Sequence, residues 1–304
     1  MERYFITGGA GFIGSHTVDA LLKKGEQVTV FDKKSWEEAV NLVHQEGNIR
    51  YISGDIRDAE MLRDAMTGHT HVLHLAAVVS VPESIEHPIE THEVNVTGAL
   101  NVFDAARICG VERVVYASSA AVYGDQRVIP IEEETPLSPR SPYGLHKKMN
   151  EEYASLYEAL FGLSVMGLRY FNVYGSRQDA SSPYSGVISI FSNNLKAGKD
   201  IVLHGDGSAT RDFISVSMVS QANMRALQSS YSGVSNVGGG TEVSIRELLD
   251  MMVDESGKKV SPLMKESREG DIPRSCASVK RMKEVLQVTP QGLTREEVRV
   301  LLKE

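Results

Sequence analysis

A tyrosine and a lysine four residues apart, Tyr143 and Lys147, are the first candidates for chemistry in this chain. On a helix, this spacing places both side chains on one face. Ser141 and Pro142 directly before them are typical of an N-cap and a first helical position, so a helix is predicted to begin here. A phenol with its usual pKa of about 10 is a poor base at neutral pH, but a neighbouring ammonium favours the phenolate. The pair could abstract a hydroxyl proton as hydride leaves the same carbon, although such a spacing also occurs where the tyrosine only packs and the lysine is solvated.

A glycine-rich turn near the N-terminus indicates the cofactor for such a reaction. A predicted strand at residues 4–7 leads into Gly8-Gly9-Ala10-Gly11-Phe12-Ile13-Gly14 and then into a helix. In this setting glycines allow a tight turn and close approach to a pyrophosphate, and the helix N-terminus supplies partial positive charge. Asp32 ends the next predicted strand, near the distance at which a carboxylate binds a ribose diol. The turn is therefore predicted to hold NAD through Gly8, Gly11, Phe12, Ile13, Gly14 and Asp32.

Other interpretations of this region remain open. The glycines could serve packing alone, and Asp32 could simply cap a turn. Lys33 and Lys34 follow Asp32 directly and could face the 2′-phosphate of NADP instead.

The elements that must position these groups alternate along the first half of the chain. Strands are predicted at residues 4–7, 28–31, 49–53, 71–77, 114–118 and 165–170, and helices at 15–24, 59–66, 95–109 and 143–161. Glycines at 25, 68, 110 and 162 stand where each helix would stop. This alternation predicts an α/β fold with a doubly wound parallel sheet of the Rossmann type.

A second, smaller α/β domain is predicted to bind the substrate. After Gly175 the pattern changes to loops, followed by a helix near 187–197 and a strand at 201–204. The dinucleotide-binding domain is predicted to span residues 1–174, with 214–240 returning to it. Residues 175–213 and 241–304 would form the smaller domain.

Composition limits the classes of partner. The 304 residues are 41% hydrophobic and 24% charged, which excludes a disordered or collagen-like chain. A net charge of −8 argues against nucleic-acid binding, and the mostly apolar residues 72–81 are too short to span a bilayer. Two cysteines, Cys109 and Cys276, are too few for a disulfide framework and predict a reduced, cytoplasmic location. No metal is expected, because His71 and His74 would face opposite sides of a strand.

The chain resembles the extended short-chain dehydrogenases/reductases, specifically the NAD-dependent nucleotide-sugar 4-epimerases of the UDP-glucose 4-epimerase type. The resemblance covers nearly the whole chain and is carried by residues 7–14, 54–58, 73–77, 118–124, 143–147, 169–175, 211–213 and 268–271. It implies an enzyme that oxidises and re-reduces C4 of a UDP-sugar through a 4-keto intermediate.

The resemblance also implies a role for each matching residue. Asp55 and Ile56 would flank adenine, and Ala76, Ala77, Asn95 and Tyr170 would line the cofactor. Ser119 would hydrogen-bond the reacting hydroxyl, Tyr143 would be the acid/base, and Lys147 would bind the nicotinamide ribose and tune Tyr143. Asn172, Arg211 and Arg268 would hold the diphosphate, with His204 beside the base and Asp271 and Ser275 near the substrate. Arg211 and Arg268 would also supply the positive charge that an acidic protein needs in order to bind a dianionic diphosphate.

Ala120 and Ala121 narrow the reaction that the resemblance implies. Dehydratases of this superfamily place an acidic pair at these positions, and the decarboxylases usually carry a glutamate, whereas two methyl groups transfer no proton. Ser275 stands where a bulky aromatic is associated with excluding N-acetyl groups, so UDP-N-acetylglucosamine and UDP-N-acetylgalactosamine are expected to fit as well as UDP-glucose and UDP-galactose. The alternatives are another nucleotide-sugar enzyme (a UDP-glucuronate epimerase, a dehydratase or a reductase) or a non-catalytic NAD-binding sensor.

Two further expectations concern surfaces. The predicted helices at 95–109 and 143–161 keep apolar stripes beyond what one sheet face needs, and relatives pair such helices into a four-helix homodimer interface. The acidic run at 132–134 is predicted to be a solvated loop without a catalytic role.

Overall fold

The computed structural model describes residues 2–179, 186–258, 260–266 and 272–303. The strands are β1 (Arg3–Thr7), β2 (Gln27–Asp32), β3 (Arg50–Ser53), β4 (His71–His74), β5 (Arg113–Ser119), β6 (Val165–Tyr170), β7 (Asn172–Tyr174), β8 (Val202–His204), β9 (Thr210–Arg211), β10 (Phe213–Ser215), β11 (Gly233–Val237), β12 (Val243–Ser244) and β13 (Leu263–Lys265). The helices are α1 (Phe12–Leu22), α2 (Ala59–Met66), α3 (Val81–Glu86), α4 (Pro88–His92), α5 (Gly98–Ile108), α6 (Pro142–Phe161), α7 (Val187–Ala197), α8 (Val216–Gln228), α9 (Ile245–Ser256), α10 (Lys280–Leu286) and α11 (Arg295–Lys303).

Seven strands form one parallel sheet in the order β11-β6-β5-β4-β1-β2-β3. The chain leaves β1 towards β3 on one side and then crosses over to β4, β5 and β6 on the other. This reversal creates a crevice at the carboxyl ends of the strands, where ligands of such folds bind. The predicted doubly wound sheet is confirmed, and β11 pairs with β6 at one edge of it.

The helix stops follow the glycine signals. Gly25, Gly68, Gly110 and Gly162 all adopt positive φ, between 68° and 83°. Because only glycine enters this region without strain, each residue lets the chain leave its helix and turn into the next strand. The predicted strand at 71–77 ends earlier, at His74, and the following residues form a loop beside the glycine turn.

Two hydrophobic layers cover the large sheet. Alternation along β1 places Tyr4 and Ile6 in one buried cluster and Phe5 in the other. The first layer includes residues of α1, α8 and α10, and the second includes residues of α2, α5 and α6.

The smaller unit has a core of its own, in which α7, α9 and α11 pack together around buried residues such as Phe191, Leu203 and Leu248. Strand β10 pairs with β7 and connects this unit to the end of β6. Met282 and Leu286 of α10 lie in the larger core, although the sequence analysis grouped residues 241–304 with the smaller unit. The domain boundaries themselves remain a prediction.

Within the described ranges, no helix combines the length and the apolar character needed to cross a membrane.

Candidate active site

The glycine turn between β1 and α1 is packed too closely for side chains at two positions. Gly8 has a φ of 71°, and its N–H donates to the Phe31 carbonyl oxygen at 3.0 Å. A Cβ on Gly8 would lie 2.6 Å from the Ala76 nitrogen, and one on Gly14 would lie 2.4 Å from the Gly8 carbonyl oxygen. The turn is therefore a backbone cradle at a helix N-terminus, which suits a phosphate group.

Asp32 ends β2 at the rim of this cradle and is almost fully buried. One carboxylate oxygen accepts the Ala10 N–H at 3.0 Å, and the other accepts the Lys34 N–H at 3.1 Å. These bonds fix the carboxylate, which also lines the adjoining cavity. Lys33 and Lys34 line the same cavity.

A cavity of about 510 Å³ runs from the glycine turn to the end of β5, and its volume falls in the range of small-molecule sites. The predicted cofactor and catalytic residues on its wall are Gly8, Gly11, Phe12, Ile13, Gly14, Asp32, Asp55, Ile56, Ala76, Ala77, Ser119, Tyr143, Lys147 and Tyr170. They come from segments far apart in the chain. The structure also adds lining residues that the sequence analysis missed, among them Val78, Ser118 and Gln178.

The tyrosine and lysine lie on the first turns of α6, as their spacing predicts. The Ser141 hydroxyl accepts the Gly144 N–H at 3.1 Å, and the buried Ser84 hydroxyl accepts the Tyr143 N–H at 3.1 Å. The Lys147 ammonium donates to the Ala117 carbonyl oxygen at 2.9 Å and lies 5.8 Å from the centroid of the Tyr143 ring. The helix start is thus fixed by two hydroxyl groups, which orients the pair towards the cavity.

Burial moves the pKa values of both groups away from their ordinary values. Lys147 is almost fully buried, and this lowers its pKa to about 8. Burial raises the pKa of Tyr143, and the side-chain hydrogen bond with Ser119 opposes that rise. The sequence analysis expected the ammonium to favour the phenolate, but burial is the larger effect on the phenol in this protein.

Ser119 ends β5 beside this pair. Its hydroxyl accepts the Ala121 N–H at 3.1 Å, which starts the short 3₁₀ helix Ala120–Val122. A Cβ on Gly144 would lie 2.6 Å from the Ala121 carbonyl oxygen, so α6 approaches this turn closely only because residue 144 is glycine. Ser119 and Tyr143 are therefore held at the same end of the cavity.

A buried ion pair joins α6 to β6, and the sequence analysis did not identify it. Glu151 binds Arg169 through two hydrogen bonds of 2.8 and 2.7 Å, and it also accepts the Ser118 hydroxyl at 2.5 Å. Glu151 follows Lys147 by four residues, so the same helical face continues through it. That four-residue spacing was the sequence signal that could have placed Glu151 on the same face of the helix as Lys147.

The prediction of a solvated acidic run is wrong for Glu133, which is buried. Its carboxylate accepts the Asn236 N–H at 2.9 Å, and its carbonyl oxygen accepts from Arg169 at 2.8 Å. A guanidinium buried in the core requires acceptors, and this segment supplies one of them.

Asn95, predicted to line the cofactor, is not among the described residues on the cavity wall. Its side chain binds both the N–H and the carbonyl oxygen of Val78, each at 2.8 Å, and Val78 lies on the wall. The Asn150 amide donates to the Asn95 carbonyl oxygen at 2.9 Å, within the π-helical segment Glu93–Thr97. The structure therefore places Asn95 behind the wall, where it holds Val78.

Four of the residues predicted to bind the substrate are not among those that line this cavity: Asn172, His204, Arg211 and Ser275. The Asn172 amide donates to the Asp212 carbonyl oxygen at 3.1 Å, and Arg211 donates to the Ile272 carbonyl oxygen at 2.7 Å. A ring nitrogen of His204 lies 3.1 Å from the Glu266 carbonyl oxygen, and Ser275 is half-buried. Arg268 and Asp271 fall outside the described residues.

The histidines near β4 have threonine partners. His69, His71 and His74 each lie 2.7–2.9 Å from a threonine hydroxyl oxygen. In the part of the chain that the structure describes, no group of three or more histidine, cysteine or acidic side chains is arranged to hold a metal ion.

Comparisons with known proteins agree with this arrangement. A profile of the NAD dependent epimerase/dehydratase family matches residues 4–238. The UDP-glucose 4-epimerase of Mycolicibacterium smegmatis is 38% identical over 294 residues, covering 95% of this chain and 94% of that protein. A solved structure of UDP-N-acetylglucosamine 4-epimerase from Methanobrevibacter ruminantium, in complex with UDP-N-acetylmuramic acid, has a TM-score of 0.95 at 34% identity and covers 99% of this chain and 97% of its own. UDP-glucose 4-epimerase from Thermus thermophilus in complex with NAD has a TM-score of 0.89 at 36% identity, covering 99% and 98%.

Proposed function

Because the chain belongs to the NAD dependent epimerase/dehydratase family, we propose that it is an NAD-dependent 4-epimerase of UDP-sugars. The observation that carries this proposal is the arrangement of Ser119, Tyr143 and Lys147 on the wall of one cavity that begins at the glycine cradle. A site of this kind can remove and replace a hydroxyl proton next to a bound dinucleotide.

The residues present fit NAD. Gly8 and Gly14 leave room only for hydrogen atoms, so backbone can approach a pyrophosphate there. The fixed, buried carboxylate of Asp32 suits a ribose diol and would repel a 2′-phosphate. When bound, NAD supplies the hydride acceptor and donor for sugar C4, together with the positive charge of the oxidised nicotinamide.

Side chains of the protein transfer the proton of the C4 hydroxyl. Tyr143 accepts this proton during oxidation and returns it during reduction, while Ser119 holds the reacting oxygen by a hydrogen bond. Lys147 would hold the nicotinamide ribose, and its ammonium lies 5.8 Å from the centroid of the Tyr143 ring. Burial raises the pKa of Tyr143, and positive charge beside the phenol would oppose that rise.

Ala120 and Ala121 favour epimerisation over dehydration. They follow Ser119 directly and form the 3₁₀ turn against α6. Neither methyl group can protonate a departing hydroxyl or remove an α-proton. The site is therefore limited to oxidising and re-reducing one carbon, and the keto sugar must turn over between the two steps while UDP stays bound.

The substrate proposal assigns the diphosphate to Asn172, Arg211 and Arg268 and the base to the vicinity of His204. Asp271 and Ser275 would lie near the sugar. A serine at 275 is small, which supports turnover of the N-acetylated UDP-sugar pair as well as UDP-glucose and UDP-galactose.

We further propose that the enzyme is a homodimer formed through α5 and α6. Apolar side chains on these helices are exposed, including Ile108, Leu156, Leu160 and Phe161. A reduced, cytoplasmic location is proposed as well, since neither Cys109 nor Cys276 forms a disulfide.

The test is incubation of the purified protein with UDP-glucose, and separately with UDP-N-acetylglucosamine, without added NAD. We expect a mixture of C4 epimers from each sugar, because the cofactor is regenerated in every turnover. Tyr143→Phe should lower the rate by on the order of 10²–10⁴-fold while NAD content is unchanged. Separation of the epimers by chromatography measures the product mixture and the rate, and the NAD content is measured after gel filtration.

Tyr153→Phe is the matched control, because it removes a phenol from an exposed side chain of the same helix. Its rate should equal that of the wild type. Ser275→Tyr should abolish turnover of the acetylated sugar first, and an equal loss on both sugars would contradict the role of Ser275. A wild-type protein that retains NAD and forms no epimer, or a Tyr143→Phe variant with full activity, would overturn the proposed function.

A further inference from the structure

Asp212 is a fully buried carboxylate at the junction between the two units. One of its oxygens accepts the Gly239 N–H at 2.5 Å, and the other accepts the N–H groups of Gly240 and Ala277 at 3.0 and 2.8 Å. A single side chain thus binds two segments that are more than thirty residues apart in the sequence.

The backbone of Asp212 adds a third segment. Its carbonyl oxygen accepts both the backbone N–H and the side-chain amide of Asn172, at 3.0 and 3.1 Å. Asn172 begins β7, which follows β6 almost directly at the end of the large sheet.

These segments carry the residues proposed to bind the nucleotide sugar. Arg211 precedes Asp212 directly and donates to the Ile272 carbonyl oxygen at 2.7 Å. The Thr210 N–H donates to the Pro273 carbonyl oxygen at 2.9 Å, so the 210–212 and 272–277 segments run together. Ser275 lies two residues before Ala277, whose N–H the carboxylate holds.

The packing around the carboxylate leaves no spare volume. A Cβ on Gly238 would lie 2.7 Å from the Ala277 Cβ and 2.9 Å from an Asp212 carboxylate oxygen. A Cβ on Gly239 would lie 2.4 Å from the Phe213 carbonyl oxygen. The glycines after β11 therefore let the backbone wrap the carboxylate closely.

Burying a carboxylate costs free energy, which indicates that the hydrogen bonds accepted by Asp212 contribute to the structure. Burial raises the pKa of Asp212 to about 6, and the three backbone N–H groups oppose the rise. An amide or an apolar side chain would avoid the cost of burying a charge but could not accept from all three donors.

We propose that Asp212 is a positioning residue for substrate binding, which fixes Asn172, Arg211 and Ser275 relative to one another by holding their three segments. This inference rests on the proposed function, because it assumes that these residues bind the nucleotide sugar. The carboxylate of Asp212 accepts backbone N–H groups, so the proposed role acts through the segments that it holds.

The experiment replaces Asp212 by asparagine in the NAD-loaded enzyme. The amide group directs its own hydrogen atoms at backbone donors, so at least one N–H loses its acceptor and the segments shift. We expect the Kd for UDP, measured by calorimetry, and the KM for UDP-glucose to rise on the order of 10- to 100-fold. The kcat at saturation and the NAD content should stay near the wild-type values, since Tyr143 and the glycine turn lie in the larger unit.

Asp206→Asn is the matched control, because Asp206 is an exposed carboxylate in the same unit and accepts the N–H of the nearby Ser208 at 2.9 Å. It should bind UDP as the wild type does. Gly238→Ala is the second variant, since its methyl group would push Ala277 away without changing any charge. It should reproduce the increase in Kd.

The outcomes separate the two proposals. A wild-type protein that fails to bind UDP overturns the proposed substrate. The positioning role alone is overturned if the wild type binds UDP and the folded Asp212→Asn and Gly238→Ala variants bind it with the same Kd. The role is also overturned if kcat and NAD content fall together with UDP affinity, or if neither variant folds, because Asp212 would then be a general structural group.

Discussion

At the scale of single residues, burial controls protonation around the cavity. Lys147 has a pKa lowered to about 8, and the pKa of Tyr143 is raised, both because the side chains are removed from water. Complete burial, together with the nearby charge of Lys147, also lowers the pKa of His74 to about 3. Its Nδ1 lies 2.7 Å from the Thr7 hydroxyl oxygen, directly before the glycine turn.

His74 should therefore make the protein sensitive to acid. Its folded pKa lies below the ordinary value of 6.5, so its neutral form is compatible with the fold and the full stability is present above pH 6.5. As the pH falls from 6.5 towards 3, the unfolded chain binds a proton that the folded chain excludes. The free energy of unfolding of the wild type should fall by about 2 kcal/mol more between pH 7 and pH 5 than that of His74→Gln.

Urea unfolding at the two pH values measures this difference. His87→Gln, a change at an exposed histidine, should keep the wild-type dependence on pH. Parallel losses in the wild type and in His74→Gln would show that His74 is not the source.

At the scale of elements, the cavity depends on close contact between neighbouring strand ends. The β1–α1 turn touches the loop after β4 through Gly8, with no volume left for a side chain. The start of α6 touches the 3₁₀ turn after β5 through Gly144 in the same way. Each glycine brings two backbones together at the edge of the sheet where the cofactor is proposed to bind.

A comparison of Gly8→Ala with Gly25→Ala distinguishes the effect of backbone strain from the effect of a steric clash. Both residues have similar positive φ values, 71° and 78°, so both substitutions carry the left-handed strain of about 1–2 kcal/mol. A Cβ at Gly25 meets no atom within 4 Å, whereas at Gly8 it collides with Ala76. Gly8→Ala should therefore lose bound NAD and unfold more easily, while Gly25→Ala keeps its NAD.

NAD content after gel filtration and urea unfolding are the measurements. Equal NAD retention in the two variants would contradict the assignment of this turn to the cofactor.

At the scale of the whole molecule, helix α6 presents two faces of different character. One face carries Tyr143, Lys147 and Glu151 against the sheet, and these side chains are buried. The opposite side exposes Leu156 and Leu160 to solvent. A second copy of the chain would cover this apolar surface, and the proposed dimer would then support the helix that carries the catalytic pair.

Leu160→Asp should convert the dimer into monomers, because it places a charge on an apolar side chain that is 69% exposed in the single chain. The fold of each chain should be unchanged. Light scattering after gel filtration gives the mass. Val128→Asp, at another exposed apolar residue, should remain dimeric, and a wild-type protein of monomeric mass at micromolar concentration would contradict the proposal.

Local signals along the sequence determined the alternation of strands and helices, the glycine turn with Asp32, and the Tyr143–Lys147 pair. These features depend on residues close together in the chain, whose periodicity and backbone preferences are readable without the fold. Only the tertiary structure decided that Glu151 binds Arg169, that Glu133 is buried, that Asn95 holds Val78 from behind the wall, and that Asp212 joins three segments. Each of those contacts connects parts of the chain that folding brings together, and local periodicity carries no information about which distant groups will meet.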